Sequence, residues 1–291
     1  MLIRDYTSRK VADYLSEKPR QVCLVFIHGL GDVVMFVEPL RKLRTLFPET
    51  VILLGLQTGV GQVEFFSEYL EGVVGITDAN VPFEDCDYTF QIHFPMSESF
   101  EGKYTKAELC CEWELGIEKV CSYPYWGLKT AGAGADVMNP FVAVHFQATA
   151  LPFACNPLED VAREIWNEIR QAGFIPIESF YPHVFANPRN NKFDFITRHV
   201  RDLRPDIRQL FGMLAHCGAS IGVSSGNFHL SLAALPAERV LYLKKEYDVS
   251  CYTRNKLVQQ VDVVDYERGS VGRWLEELKM LKLKEQNENN N

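Results

Sequence analysis

Residues 22–32 read VCLVFIHGLGD, an apolar run that ends in a His-Gly-Leu-Gly-Asp turn. The apolar run predicts a buried β-strand over Val22–His28, and the two closely spaced glycines predict a turn directly after it. Asp32 then opens an apolar pattern with a period near 3.6 residues, which predicts a helix to about Phe47 that is stopped by Pro48. A buried strand, a glycine turn and a helix form the opening unit of a parallel α/β sheet.

The same alternation of strands and helices continues and then restarts after a stretch rich in glycine and alanine, GLKTAGAGADVMNP. The sequence therefore predicts two Rossmann-like α/β domains with parallel sheets facing a central crevice. The first covers residues 1–130, with residues 1–21 as an N-terminal extension, and the second covers residues 141–269. A linker over 131–140 is expected to join them. Residues 270–291 are expected to form a terminal helix and a disordered polar tail from Lys284.

Composition excludes several classes of protein. The chain is 47% hydrophobic and 23% charged, which is enough apolar material for folded cores. The net charge of −8 and the lack of a long basic stretch argue against nucleic acid as a partner. No transmembrane segment is expected, and the start MLIRDYTSRK does not have the pattern of a signal peptide, so we expect a cytoplasmic protein.

Neither the cysteines nor the histidines form a ligand pattern. The eight cysteines include no C-x-x-C pair and are expected to be buried free thiols, and the seven histidines are equally dispersed. The sequence therefore predicts no metal site and no cofactor.

Two short motifs match those of α/β-hydrolases. The His28–Gly29 pair could supply an oxyanion-hole amide, and residues 222–226 satisfy G-x-S-x-G with Ser224 as the nucleophile. The hydrolase order is Ser, then an acid, then His. The last histidine, His229, lies only five residues after Ser224, and no acid lies between them. The hydrolase is therefore kept only as a lower-ranked alternative.

Longer segments carry a resemblance to a different family. The stretch GDVVMFVEPLRKLRTLFPE, residues 31–49, resembles the opening of the heptosyltransferases, glycosyltransferase family 9. The matching positions are Asp32, Pro39, Leu40, Arg41, Phe47 and Pro48. Residues 221–243, IGVSSGNFHLSLAALPAERVLYL, resemble the phosphate-binding segment of that family. Gly226 and His229 match there, whereas Ser224 and Ser225 stand where Asp-Thr is usual. The two segments occur in the order and at the separation found in the family.

The resemblance implies a GT-B fold and a sugar transfer. A heptose or other hexose-type sugar would move from a nucleotide diphosphate sugar to the hydroxyl of a glycan or another acceptor, without an obligatory metal. Asp32 would be the general base in the N-terminal half, because such a transfer needs a group that accepts the hydroxyl proton. The residues expected to contact substrate are His28, Gly29, Gly31, His145, Ser224, Ser225, Gly226, Asn227 and His229.

The chemistry of the second segment supports this interpretation independently. Free amides and the dipole at a helix start favour phosphate oxygens, and serine hydroxyls add donors. Each assignment also has a structural alternative. Asp32 could be a helix N-cap, Ser224–His229 could be a capped helix with a packed histidine, and His28 and His145 could be structural residues at strand ends.

One departure from the family leaves a further alternative open. The loop over residues 146–157, FQATALPFACNP, contains no Lys or Arg, where the family offers a basic residue to the diphosphate. The chain could therefore be a catalytically silent protein that binds nucleotide sugars or glycans on the same scaffold. Four residues elsewhere could supply the missing charge: Lys129, Lys244, Lys245 and Arg254.

Overall fold

The structure is a computed structural model that describes ten stretches of the chain. These are residues 2–3, 9–57, 62–76, 85–93, 104–120, 126, 139–148, 156–179, 193–196 and 206–289. Within the chain there are two compact units. Unit 1 comprises Met1–Pro124 and Ser250–Arg254, and unit 2 comprises Tyr125–Val249 and Asn255–Asn291. Most of the expected linker over 131–140 lies outside the described residues.

Unit 1 is built on a sheet of five parallel strands. Its strands are β1 (Leu2–Ile3), β2 (Gln21–Phe26), β3 (Val51–Gln57), β4 (Val73–Ile76) and β5 (Tyr88–Ile92), in the order β1-β5-β2-β3-β4. Its helices are α1 (Val11–Leu15), α2 (Leu30–Leu46), α3 (Gln62–Ser67) and α4 (Lys106–Cys110), the last continuing as a π-helical turn over Cys111–Leu115. The N-terminal extension is part of this unit, because it supplies the edge strand β1 and the helix α1.

The core of unit 1 explains why β2 lies at the centre of its sheet. Residues 22–26 are all buried, as expected for a strand covered on both faces. Helix α2 buries an apolar face that includes Phe36, and this ring stacks on Phe26 with 4.8 Å between the ring centroids. The strand and the helix predicted from these two sequence patterns therefore pack against each other in the core of unit 1.

Unit 2 contains a second sheet of five parallel strands. Its strands are β6 (Phe141–His145), β7 (Ile175–Glu178), β8 (Ala219–Gly222), β9 (Val240–Lys244) and β10 (Gln259–Asp262), in the order β10-β9-β8-β6-β7. Its helices are α5 (Glu159–Gln171), α6 (Ile207–His216), α7 (Gly226–Ala234) and α8 (Ser270–Asn289), with short 3-10 turns at Ala237–Arg239 and Val249–Cys251.

One face of the second sheet packs against α5 and α8. Trp166 of α5 and Trp274 of α8 belong to the same buried cluster as the inward-facing residues of β6, β8 and β9. The buried carboxylate of Glu168 accepts hydrogen bonds from the amides of Gly269 and Gly272, at 2.6 and 3.0 Å. A carboxylate at a helix N-terminus is favourable, so Glu168 fixes where α8 begins.

Two elements of unit 2 differ from what the sequence predicts. Helix α8 extends to Asn289, into the segment that was expected to be disordered from Lys284. The expectation was wrong there because helix propagation continues through Lys, Glu and Gln, which are good helix formers, even without apolar contacts. Strand β10 was not predicted at all, since Gln259 and Gln260 interrupt its apolar pattern.

Candidate functional site

Each sheet has one point where the strand order reverses, and the predicted site residues lie at these two points. In unit 1 the chain places β3 on one side of β2 and β5 on the other. In unit 2 it places β7 on one side of β6 and β8 on the other. Ligands of open parallel sheets bind outside the carboxyl ends of the strands at such points. His28–Asp32 follow β2, and Ser224–Gly226 follow β8, so both groups lie where this rule places a ligand.

The carboxylate of Asp32 lies in the first turn of α2. The helix N-cap is Gly29, and the Asp32 amide donates to the Gly29 carbonyl at 3.0 Å. The structural alternative of Asp32 as the N-cap is therefore wrong, because the helix begins two residues earlier. Its side chain forms an ion pair with Lys106, with 3.3 Å between Oδ1 and Nζ. The Asp32 side chain is 23% exposed, which leaves part of the carboxylate accessible.

The two predicted glycines near Asp32 differ in their surroundings. Gly29 is exposed, and a Cβ built there would have no atom within 4 Å. Gly31 is buried inside the first turn of α2. Neither has a positive φ, so the expected turn needs no glycine-specific backbone angle. The space beside Gly29 is therefore open, in the turn that leads to Asp32.

Two histidines border the same strand ends. His28 follows β2 and His93 follows β5. Burial lowers the pKa of His28 below its ordinary value, His93 and Lys106 lower it further, and Asp32 opposes them. The His93 amide donates to Glu114 Oε2 at 3.3 Å, and burial raises the pKa of the Glu114 carboxyl. His28 is therefore a neutral hydrogen-bonding group at neutral pH rather than a cation.

The turn between β8 and α7 holds the three most accessible residues of the second predicted group: Ser224, Ser225 and Gly226. Ser225 is the N-cap, and its Oγ accepts a hydrogen bond from the Phe228 amide at 3.3 Å. The first helical bond of α7 runs from the His229 amide to the Ser225 carbonyl. The amides of Gly226 and Asn227 precede it, and such first-turn amides are available to a ligand.

Three predicted residues of unit 2 are instead buried. His145 is fully buried and His229 is 3% exposed. Asn227 is 7% exposed, and its side-chain nitrogen donates to the Ser179 carbonyl. The His229 ring packs edge-on against Phe228, with 5.3 Å between the ring centroids. These three side chains lie in the interior of unit 2. Ser224, Ser225 and Gly226 are the accessible part of the turn.

The ring of His145 occupies the space beside Gly222. A Cβ built on Gly222 would lie 1.9 Å from His145 Nε2, so only glycine fits at this position of β8. Neither ring nitrogen of His145 has a hydrogen-bond partner of standard geometry among the described residues. Burial lowers the pKa of His145 to about 3, an effect that the Val223 backbone partly opposes. The ring is therefore neutral, and it packs against the strand that carries the Ser224 turn.

The backbone of the turn does not have the form of a hydrolase nucleophile elbow. A nucleophile elbow holds its serine in a sharp, strained turn between strand and helix. The only non-glycine residue with a positive φ in the described part of the chain is Lys18, so Ser224 lacks the left-handed strain. His229, the histidine nearest to Ser224 in sequence, is buried against Phe228. The described residues around Ser224 therefore do not have the arrangement of a hydrolase nucleophile.

The loop after β6 contains no Lys or Arg, but a lysine that follows β9 contacts it. Lys245 Nζ donates to the carbonyl of Asn156, the residue that closes this loop, at 3.1 Å. The Asn156 side chain accepts a bond from the Ala148 amide at 3.0 Å and so ties the two ends of the loop together. Lys245 is therefore a cation at one described end of the loop after β6, in the same unit as the Ser224 turn.

The other candidates for this charge lie elsewhere. Lys244 lies 3.7 Å from Asp262 in a half-exposed ion pair. Arg254 belongs to unit 1 and pairs with Glu108. Lys129 lies outside the described residues.

Sequence reasoning missed Lys106. The pattern Thr105-Lys106-Ala107-Glu108 is a capping box, with the Thr105 side chain accepting from the Glu108 amide and the Glu108 side chain accepting from the Thr105 amide. This pattern could have located the start of α4. It could not have placed Lys106 beside Asp32, since that contact joins residues far apart in the chain.

The described residues contain neither a metal-binding cluster nor a membrane-spanning helix. No group of three or more His, Cys, Asp or Glu side chains there is arranged as it would be around a metal ion. No described helix is both long enough and apolar enough to span a bilayer. The described cysteines are buried and form no disulfide, and burial raises the pKa of Cys23 and Cys217 to about 12. Such thiols are unreactive at neutral pH.

The fold of this chain is similar to that of solved glycosyltransferase structures. No family model and no curated protein matches the sequence. Among solved structures, the chain is similar to TibC, described as a dodecameric iron-containing heptosyltransferase in complex with ADP-D-beta-D-heptose, with 14% identity and a TM-score of 0.60. That match covers 88% of this chain and 65% of TibC, so the chain spans just under two thirds of that protein. A second structure of TibC, from enterotoxigenic E. coli H10407, matches this chain with a TM-score of 0.61.

Two further structures match over nearly their whole length. E. coli heptosyltransferase WaaC with ADP is 13% identical, and the match covers 89% of this chain and 99% of WaaC with a TM-score of 0.52. A family 9 glycosyltransferase from Veillonella parvula DSM 2008 is 10% identical, with 91% and 97% covered and a TM-score of 0.54. The chain thus has the heptosyltransferase-like fold of the GT-B glycosyltransferases, with two parallel sheets. The resemblance read from the sequence is confirmed at the level of the fold.

Proposed function

We propose that this protein is a glycosyltransferase that moves a sugar from a nucleotide diphosphate sugar to a hydroxyl acceptor. The observation that carries the proposal is the position of Asp32 and of Ser224–Gly226, each at the reversal point of a parallel sheet in a fold shared with glycosyltransferases. Neither Asp32 nor Ser224 is needed there as a helix cap. Gly29 caps α2 without Asp32, and Ser225 caps α7 without Ser224.

Asp32 is the proposed general base. Its partly exposed carboxylate accepts the proton of the acceptor hydroxyl while that oxygen forms a bond to the anomeric carbon of the sugar. Lys106 holds one carboxylate oxygen through the ion pair at 3.3 Å and so fixes the direction of the other. Neutral His28, beside the open space at Gly29, is the proposed hydrogen-bonding contact to the acceptor.

The Ser224 turn is the proposed site of the diphosphate. As the bond between the anomeric carbon and the diphosphate oxygen breaks, negative charge grows on the leaving group. Amides of Gly226 and Asn227, the hydroxyls of Ser224 and Ser225, and the Lys245 ammonium are the groups available to stabilise it. Asn227, His229 and His145 are proposed to support this turn from the buried side.

A nucleotide diphosphate linked to a heptose or another hexose-type sugar is the proposed donor, because TibC and WaaC are described with ADP-heptose or ADP bound. The acceptor is proposed to be a glycan or another molecule with an accessible hydroxyl. Because Lys245 and the helix amides supply positive potential at the turn, we propose that transfer needs no obligatory metal. A chelator should then leave turnover unchanged.

The test combines binding and turnover on wild type and the Asp32→Asn variant. Nucleotide diphosphate sugars are first screened by thermal shift, because a ligand that binds the folded state raises its stability. For a donor that binds, release of the nucleoside diphosphate is followed with a panel of hydroxyl acceptors. Asp32→Asn should lower kcat at least about 100-fold and leave donor affinity unchanged, since the carboxylate acts on the acceptor proton.

The outcomes separate the alternatives. Near-normal turnover by Asp32→Asn would remove Asp32 from the mechanism. Donor binding without turnover for any acceptor would favour the catalytically silent binding protein. Absence of binding to every nucleotide sugar would contradict the proposed function as a whole.

A further inference from the structure

A short segment between β9 and β10 belongs to unit 1 although its neighbours in sequence belong to unit 2. This segment, Ser250–Arg254, is called the strap here. Its three central residues, Cys251, Tyr252 and Thr253, are each less than 5% exposed. A five-residue segment buried to this degree is a fixed part of unit 1 rather than a surface loop.

The residues of unit 2 that flank the strap in sequence make hydrogen bonds within unit 2. Gln260 of β10 accepts a bond from the Val249 amide at 2.9 Å and donates to Asp248 at 2.6 Å. On the other side, the Asn255 side chain accepts from the Leu257 amide at 3.0 Å.

The last residue of the strap holds the N-terminus of α4. Arg254 donates through Nε and Nη2 to Glu108 Oε2, at 3.2 and 3.0 Å. The same oxygen accepts from the Thr105 amide at 2.6 Å and so closes the capping box of α4. The Glu108 side chain is only 12% exposed, and a carboxylate buried to that degree depends on a charged partner.

Helix α4 in turn carries the partner of Asp32. Lys106 is its first residue, directly after the N-cap Thr105. Even with its π-helical continuation to Leu115 this segment is short, so its stability depends on its cap and its packing. A change at Glu108 therefore reaches Lys106 within the same helical turn, and Lys106 contacts Asp32 at 3.3 Å.

We propose that Arg254 is a positioning residue for Asp32, which acts through Glu108 and the first turn of α4 to keep Lys106 on the Asp32 carboxylate. The proposal rests on the proposed function only in assigning Asp32 as the base. Its structural half, the fixing of α4 by Arg254, stands on the contacts alone.

The first experiment needs no substrate. Hydrogen exchange is measured by mass spectrometry on the full-length wild type and on Arg254→Ala, with peptides that cover residues 104–115. Loss of Arg254 should speed exchange in α4 about tenfold, because these amides then open with the unsupported cap. Peptides from β6 should be unchanged. Equal exchange of α4 in the two proteins would overturn the proposal.

Arg44→Ala is the matched control. Arg44 also lies in unit 1 and also places two donors on one oxygen, the Ile52 carbonyl, at 3.2 and 2.6 Å. It lies in the last turn of α2, away from α4. Its loss should leave both α4 exchange and kcat within about twofold of wild type. An equal rise of α4 exchange in this variant would mean that any loss of an arginine loosens the helix, and would overturn the specific role of Arg254.

The second experiment is a double-mutant cycle on turnover. Arg254→Ala should lower kcat about tenfold with donor affinity unchanged, and Arg254→Lys should recover part of the loss, because a lysine keeps the charge but not the two-pronged contact. In a Lys106→Met background, Arg254→Ala should have no further effect, since its route to Asp32 is already removed. Additive losses in the double variant would refute the route through Lys106.

The two proposals fail in distinguishable ways. A wild type that transfers no sugar, with α4 exchange that still rises in Arg254→Ala, would contradict the proposed function and keep the fixing of α4. An active wild type in which Arg254→Ala changes neither exchange nor kcat would contradict the role of Arg254 alone.

Discussion

Replacing Lys245 by alanine is the sharpest test of the proposed diphosphate site. The lysine follows β9, and its ammonium reaches the Asn156 carbonyl at the end of the loop after β6. Adjacent strands lie about 4.8 Å apart, so β9 and β6 are separated by about 10 Å with β8 between them. Because β8, the strand that leads to the Ser224 turn, lies between them, the proposed diphosphate site predicts that the Lys245 charge acts on a ligand at that turn.

The magnitude follows from the kind of bond that would be lost. A hydrogen bond to a charged group contributes about 1.5–3 kcal/mol, so Lys245→Ala should raise the dissociation constant for a nucleoside diphosphate about ten- to a hundredfold. The loss should shrink as ionic strength rises, because salt screens the attraction in wild type. Titration calorimetry at low and at moderate salt measures both effects.

Lys244→Ala is the control for nonspecific charge. Lys244 is the neighbouring residue, and its ammonium lies 3.7 Å from Asp262 in a half-exposed ion pair. Such pairs contribute at most about 1 kcal/mol to stability, and the ammonium of Lys244 pairs with Asp262, so its loss should change diphosphate affinity less than about threefold. Equal affinity in Lys245→Ala and wild type, or equal losses in the two variants, would refute the placement of the diphosphate beside Lys245.

Two further predictions concern the sheet beneath the turn. Gly222→Ala should lower the free energy of unfolding by about 1–3 kcal/mol in urea titrations, because its Cβ would lie 1.9 Å from the His145 ring. Gly212→Ala, in α6 with no atom within 4 Å of its Cβ, should not destabilise. His145 has its pKa lowered to about 3, so the unfolded state binds a proton that the folded state does not once the pH falls below about 6.5. Stability should therefore fall with decreasing pH by up to about 1.4 kcal/mol per unit between about pH 6 and pH 4, and His145→Leu should remove that component of the slope, whereas an unchanged slope would contradict a neutral buried ring.

The strands and helices with strong apolar patterns were predictable from the sequence. The predicted strand over Val22–His28 is observed as β2, and the helix opened near Asp32 is observed as α2. The restart of the pattern at Phe141 is observed as β6. These elements are buried on well-defined faces, so their periodicity is set by the packing that stabilises them. Elements with weak patterns were missed, as β10 shows, because its pairing with β9 rests on backbone bonds rather than on apolar side chains.

The contacts that orient the site were not predictable in the same way. Lys106 beside Asp32, Arg254 on Glu108 and Lys245 on Asn156 all join residues separated by at least 74 positions in the chain. No local pattern encodes such pairs, since they depend on which strand ends the fold brings together. The N-cap of α2 shows that a local residue preference can also predict the wrong position. Asp32 has the residue type favoured at a cap, but exposed Gly29 takes that place and leaves the carboxylate in the first turn.

The same local design, a strand followed by a turn and a helix, carries opposite chemistry in the two units. Helix α2 has its own carboxylate, Asp32, in the first turn, and that charge already interacts with the positive end of the helix. Helix α7 has no acidic residue in its first turn, so the positive end of that helix remains available to an external anion. Lys245 is proposed to add positive charge for that anion, and the Asp32 carboxylate remains partly exposed on the α2 side. A base at one reversal point and an anion site at the other are the two groups that transfer from a nucleotide diphosphate sugar requires, which is why the difference between these two helix starts, more than either motif alone, favours a sugar transferase.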